Sequence, residues 1–194
     1  MRPLNFAAPF CLAAGLFMTV SAAQAAEPEN TLVIELESGE VEIALRPDLA
    51  PQHVERIKQL ARAGEYDNVA FHRVIDGFMA QTGDVEFGDM ENGFDPQRAG
   101  TGGSAHPDLP AEFSDAPFER GTVGMARAQD PNSANSQFFI MFAPAQHLNG
   151  SYTVVGQVET GMEHVDQLKK GDPARNGSVE DPDRMERVYI AADE

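Results

Sequence analysis

The run Phe71-His72-Arg73-Val74-Ile75-Asp76-Gly77-Phe78-Met79-Ala80-Gln81-Thr82-Gly83-Asp84 sets one guanidinium among large apolar side chains and turn-forming glycines. A guanidinium is permanently charged, planar and rich in N–H donors, so it can hold an acceptor without gaining or losing a proton. Two further strand-like runs, Gly124-Met125-Ala126-Arg127-Ala128 and Asn135-Ser136-Gln137-Phe138-Phe139-Ile140, could complete a wall around the same groove. Other chemistries find no support. The five histidines, His53, His72, His106, His147 and His164, show no ligand spacing such as His-Glu-x-x-His, so no metal site is expected. There is no Gly-x-Ser-x-Gly, and Ser104 beside Ala105-His106 lacks a strand-to-helix elbow. No lysine follows Gly100-Thr101-Gly102-Gly103 in the P-loop manner. His53 and His164 read as helix-surface residues and His72 as a structural residue beneath the groove.

The elements that must position these residues follow from periodicity. Residues 31–37 alternate Leu32, Ile34 and Leu36 with Val33, Glu35 and Glu37, and after Ser38-Gly39 the run Val41, Ile43, Leu45 alternates again, which predicts a hairpin around a two-residue turn. Pro51 suits the first turn of a helix whose apolar positions Val54, Ile57, Leu60 and Ala61 recur at helical spacing before Gly64. Short strands are expected at 69–74, 78–81, 121–126, 138–143, 153–158 and 187–192. Met162, Val165 and Leu168 mark a second helix ending near Gly171. Eight strands and two helices allow a barrel, although periodicity alone would also allow a sandwich. Residues 85–104, rich in Gly, Asp and Asn, read as a long surface excursion beside the groove. Within β-structure Phe138 and Phe139 must point to opposite faces, so only one can join an interior.

No charge separates Arg2 from Glu27, and residues 6–20 are apolar enough for the h-region of a secretory signal. Ala23-Gln24-Ala25 supplies small residues for cleavage, so residues 1–25 read as a signal peptide and 26–194 as one mature domain. The alternative is a retained membrane anchor, since the stretch reaches the ~20 residues that a span needs. Cleavage would remove Cys11, the chain's one cysteine, and would move the formal charge from −17 to −18. A thiol-free exported chain of roughly 170 residues must be held by packing, which suits a periplasm. Its acidity disfavours nucleic acid and anionic lipid, whose recognition relies on clustered Lys and Arg. The absence of tryptophan argues against a sugar-binding β-domain.

Together the three motif runs resemble the cyclophilins, a family of peptidyl-prolyl cis-trans isomerases, and the likeness extends over residues 31–192. The resemblance implies a mainly β fold, a closed eight-stranded antiparallel β-barrel capped by two α-helices. It implies a cofactor-free isomerase, needing neither nucleophile nor metal, that acts on proline-containing polypeptides. By position in the family pattern, Arg73 would be the catalytic group, and Phe78, Met79, Phe139 and Leu148 the slot for the proline ring. Gln81, Gln137 and the backbone around Ala126 and Arg127 would hold peptide groups, with Tyr152 as a donor at the rim. The rival reading is a non-catalytic proline-peptide-binding chaperone module.

Four departures from the family pattern carry expectations. Thr82 replaces a frequent glycine, so a regular backbone is expected there rather than a positive φ. His147 stands where drug-sensitive eukaryotic members often carry tryptophan, which implies weak cyclosporin binding because the indole's area and N–H are gone. Tyr152 and Arg127, at positions of a histidine and an asparagine, resemble the bacterial periplasmic branch, consistent with a monomeric periplasmic protein.

Overall fold

The computed structural model describes residues 27–194, so the expected signal peptide at 1–25 lies outside the described residues. Eight strands and two helices follow in chain order: β1 (Thr31–Leu36), β2 (Gly39–Leu45), α1 (Pro51–Arg62), β3 (Arg73–Ile75), β4 (Met79–Thr82), β5 (Thr122–Met125), β6 (Phe138–Met141), β7 (Val154–Thr160), α2 (Met162–Gln167) and β8 (Arg187–Ile190). In the first hairpin Leu36 faces Gly39, so the two-residue turn is Glu37-Ser38, one residue earlier than the expected Ser38-Gly39. The strand expected at 69–74 contracts to β3. The backbone before it is satisfied elsewhere, with Ala70 N–H donating to the Gly88 carbonyl at 2.9 Å and Phe71 N–H to that of Asp183 at 2.8 Å. The second helix stops at Gln167, because Leu168 turns to extended geometry at φ −52° and ψ 137°.

All strand pairs are antiparallel, in the order β3-β4-β6-β5-β7-β2-β1-β8. The expected closed barrel is therefore corrected to an open, curled half-barrel with edges at β3 and β8. Counting strands cannot tell whether the last one meets the first. Here β3 is only three residues long, and its free edge bonds instead to the loop after α2. Val74 N–H donates to the Gly177 carbonyl at 2.8 Å, and Gly171 N–H to that of Val74 at 2.8 Å. At the other edge, the Val188 N–H is capped by Asp67 Oδ1 at 2.8 Å.

The concave face of the sheet holds the main core, where Leu32, Ile34, Ile43, Val74, Ala80, Val123, Phe138 and Ile140 meet. Both helices feed it, α1 through Val54, Ile57, Leu60 and Ala61 and α2 through Val165. Helix α1 begins at Pro51 after Ala50, which has no capping side chain. Its first amides are satisfied from a distance: Glu112 accepts from Gln52 N–H at 3.1 Å and from His53 N–H at 3.1 Å. The same carboxylate lies 2.7 Å from His53 Nδ1, and His53 is wholly buried. This corrects the expectation of a surface histidine, since the ring turns inward to pair with an acid 59 residues away. His164 is half-buried, its ring packed over Gly39.

Candidate active site

Strand register decides which side chains share a face. Arg73 pairs with Gln81, Gln81 with Phe139, and Phe139 with Gly124, so a single row crosses β3, β4, β6 and β5 on the convex face. The neighbouring row, Val74, Ala80, Ile140 and Val123, faces the core. Gly124 ends the outer row for a steric reason. A Cβ there would stand 2.6 Å from Phe118 Cε1 and 2.6 Å from Phe139 Cζ, so only glycine leaves room for these stacked rings.

The row lies in a groove of about 360 Å³ lined by Arg73, Phe78, Met79, Gln81, Ala126, Arg127, Phe139, His147, Leu148 and Tyr152. Its base is a second apolar cluster in which Met79, Phe118, Phe139, Met141, Leu148 and Val154 are buried, with Phe78 and Tyr152 packed against it. Tyr152 meets Phe139 edge-on with ring centroids 5.8 Å apart, and the Arg127 guanidinium carbon lies 4.4 Å from the Tyr152 centroid. Phe78 stacks on His147 at 5.9 Å across the rim. Nine of the ten expected site residues thus come together. Gln137 instead lines the adjoining depression, which it shares with Gln81, Ala126 and Arg127.

A chain of hydrogen bonds ties the guanidinium to that depression. Arg73 Nη1 donates to Gln81 Oε1 at 3.1 Å, Gln81 Nε2 to Gln137 Oε1 at 2.9 Å, and Gln137 Nε2 to the Gly102 carbonyl at 2.8 Å. Gly102 is anchored in turn by Asp84, whose fully buried carboxylate accepts from the N–H groups of Glu86, Phe87, Gly100 and Gly102 at 2.7–3.1 Å. Asp84 therefore ties both ends of the excursion at 85–104 together beside the groove, at Glu86 and Phe87 on one side and Gly100 and Gly102 on the other. Thr82 keeps regular strand geometry, as expected, and its hydroxyl donates to the Ala70 carbonyl at 2.9 Å, while the positive φ of 84° falls on Gly83.

Burial lowers the Arg73 pKa from its ordinary value, opposed by Tyr152. His72 lies just behind the row, buried, and burial pushes its pKa down to about 4 against the pull of Asp84. Neither ring nitrogen has a hydrogen-bond partner among the described residues. The Ala126 N–H donates to the Gln137 carbonyl at 2.9 Å, so of that residue's backbone only the carbonyl can face a bound peptide. Among the described residues no group of three or more His, Cys, Asp or Glu could hold a metal ion, and no helix is long and apolar enough to cross a membrane.

The family model for cyclophilin type peptidyl-prolyl cis-trans isomerases matches residues 31–190. The chain belongs to this family. A relative from Brucella suis, described as a probable peptidyl-prolyl cis-trans isomerase, is 61% identical over 187 residues, covering 94% of this chain and 95% of that one. A peptidyl-prolyl cis-trans isomerase of Arabidopsis thaliana is 36% identical over 183 residues, covering 93% and 77%. Among solved structures, the cyclophilin of Hirschia baltica superposes with a TM-score of 0.73 at 25% identity, covering 88% of this chain and 77% of that one. A Cryptosporidium parvum cyclophilin type isomerase, crystallised in the presence of the dipeptide Ala-Pro, gives 0.69 at 25% identity, covering 82% and 98%.

Sequence reasoning left three contributors to this cyclophilin site without a role. Asp84 and Gly102 act through backbone contacts inside an aperiodic loop. Asn176 reaches Arg73 from 103 residues away, and its only local signal is the Asn176-Gly177 turn dipeptide.

Proposed function

We propose that this cyclophilin accelerates rotation about X-Pro bonds in unfolded or flexible exported polypeptides, with Arg73 as the catalytic group. The observation that carries the reading is the register row that sets the guanidinium beside an apolar slot. A prolyl bond turns slowly because amide resonance imposes a barrier of roughly 18 to 20 kcal/mol. In the twisted state the proline nitrogen becomes pyramidal and regains a lone pair, which an N–H of Arg73 can meet. A planar amide nitrogen is a poor acceptor, so the contact favours the twisted state over the ground state.

Phe78, Met79, Phe139 and Leu148 would clamp the proline ring while the acyl part rotates. Gln81, Gln137, the Ala126 carbonyl, Arg127 and Tyr152 would hold the flanking peptide. About a millionfold acceleration requires about 8 kcal/mol at 1.36 per decade. One charge-assisted hydrogen bond supplies about 1.5 to 3 kcal/mol, so orientation and water exclusion in the slot must provide the rest. No step requires a metal or an organic cofactor.

We further place the protein in the bacterial periplasmic branch, exported through a signal peptide at 1–25 and working as a monomer. The uncharged leader and its small-residue end support export. With His147 at the rim, cyclosporin binds weakly, and nanomolar inhibition of the mature protein would contradict this. A proline-limited refolding reaction tests the function: the isomerase shortens the slow phase catalytically, whereas a holding chaperone would suppress aggregation without changing that rate.

A further inference from the structure

The guanidinium of Arg73 is held from two sides, and the second side comes from the loop that covers the β3 edge. That loop is a tight closure. Asp172 Oδ1 accepts from Ala174 N–H at 2.8 Å, and the Asp172 carbonyl from Gly177 N–H at 2.9 Å. At its tip Asn176 adopts φ 54° and ψ 33°, a left-handed conformation that asparagine tolerates better than most residues with a side chain. This conformation turns both of its oxygens onto one partner. Arg73 Nε donates to the Asn176 backbone carbonyl at 3.0 Å, and Arg73 Nη2 donates to Asn176 Oδ1 at 3.1 Å.

From the opposite side Nη1 meets Gln81 Oε1 at 3.1 Å and Met79 Sδ at 3.7 Å. Of the five guanidinium N–H groups, this leaves one on Nη2 without an acceptor among the described residues. A lone arginine could swing through many rotamers. One gripped at Nε, Nη1 and Nη2 has its plane fixed before a substrate arrives, so no reorientation is needed as the bond twists.

We propose that Asn176 is a positioning residue that fixes the guanidinium plane of Arg73, so that the donor left over meets the twisting imide in one orientation. The proposal rests on the reading of Arg73 as the catalytic group. An Asn-Gly turn that served only to reverse the chain would need no side-chain oxygen, and glycine would serve as well there.

The test follows from that contrast. Exchange between cis and trans forms of a short proline peptide is measured by NMR for wild type, Asn176→Gly, Asn176→Asp, Arg73→Ala and Arg73→Ala/Asn176→Gly. Asn176→Gly should keep the thermal transition and KM while kcat falls roughly tenfold, the scale of one hydrogen bond to a charged group. Asn176→Asp, which keeps an acceptor and the left-handed preference, should recover most of kcat. In the Arg73→Ala background the second change should have no effect. A kcat in Asn176→Gly within about twofold of wild type, beside a crippled Arg73→Ala, would overturn the inference alone. The same loss in both backgrounds would also overturn it. Wild-type activity in Arg73→Ala would remove the reading of Arg73 and the inference with it.

Discussion

Phe138 and Phe139, adjacent in β6, lie in two separate apolar clusters. Phe138 is fully buried on the concave side, edge-on to Tyr66 with centroids 5.6 Å apart, and Phe139 forms the floor of the groove between Phe118 and Tyr152. The same alternation that hides one ring from solvent delivers the other to the site. Substitution should separate stability from binding. Phe138→Ala should lose about 3–5 kcal/mol in urea unfolding. Phe139→Ala should lose less stability and chiefly weaken binding of a proline peptide, read by NMR titration. Equal stability losses with unchanged peptide affinity in Phe139→Ala would contradict this division.

Acid should affect folding and catalysis differently. His72 is neutral when folded, with its pKa pushed by burial from 6.5 to about 4. The unfolded state therefore binds more protons across that window, and stability falls as pH drops from about 6.5 to about 4, by an amount of the order of 3 kcal/mol. His72→Gln should flatten this part of the stability profile. Catalysis should show no such slope between about pH 6 and 9, because a guanidinium stays protonated throughout that range. An ionisation in the kcat profile near neutrality would point to a titrating group that the mechanism does not contain.

Asp84 should behave as the anchor of the depression beside the groove. Asp84→Asn keeps one acceptor oxygen where the carboxylate offers two, and the Gly100 and Gly102 amides share the second. The expected result is faster hydrogen exchange at those two amides and a raised KM, because the Gly102 carbonyl positions Gln137 and through it Gln81. Unchanged exchange at Gly102 would show that the loop is held by other contacts.

Much of this architecture was legible in the sequence. Alternation located both strands of the first hairpin, and the split between Phe138 and Phe139 followed from a period of two. The groove lining was legible only through the motif resemblance, since nothing local distinguishes Met79 or Leu148 from ordinary core residues. What could not be read was long-range. The His53–Glu112 contact spans 59 residues, and the Arg73–Asn176 contact spans 103. The open seam between β3 and β8 depends on where a loop without periodicity lays its backbone donors. Periodicity reports which face a residue turns to, not which distant partner waits there.

The most direct test of the central claim is magnetisation-transfer NMR on a short proline peptide with wild-type and Arg73→Ala protein side by side. The account predicts rapid cis-trans exchange with wild type and loss of most of that acceleration in Arg73→Ala, with peptide binding and the thermal transition nearly unchanged. Exchange by Arg73→Ala at the wild-type rate would contradict it.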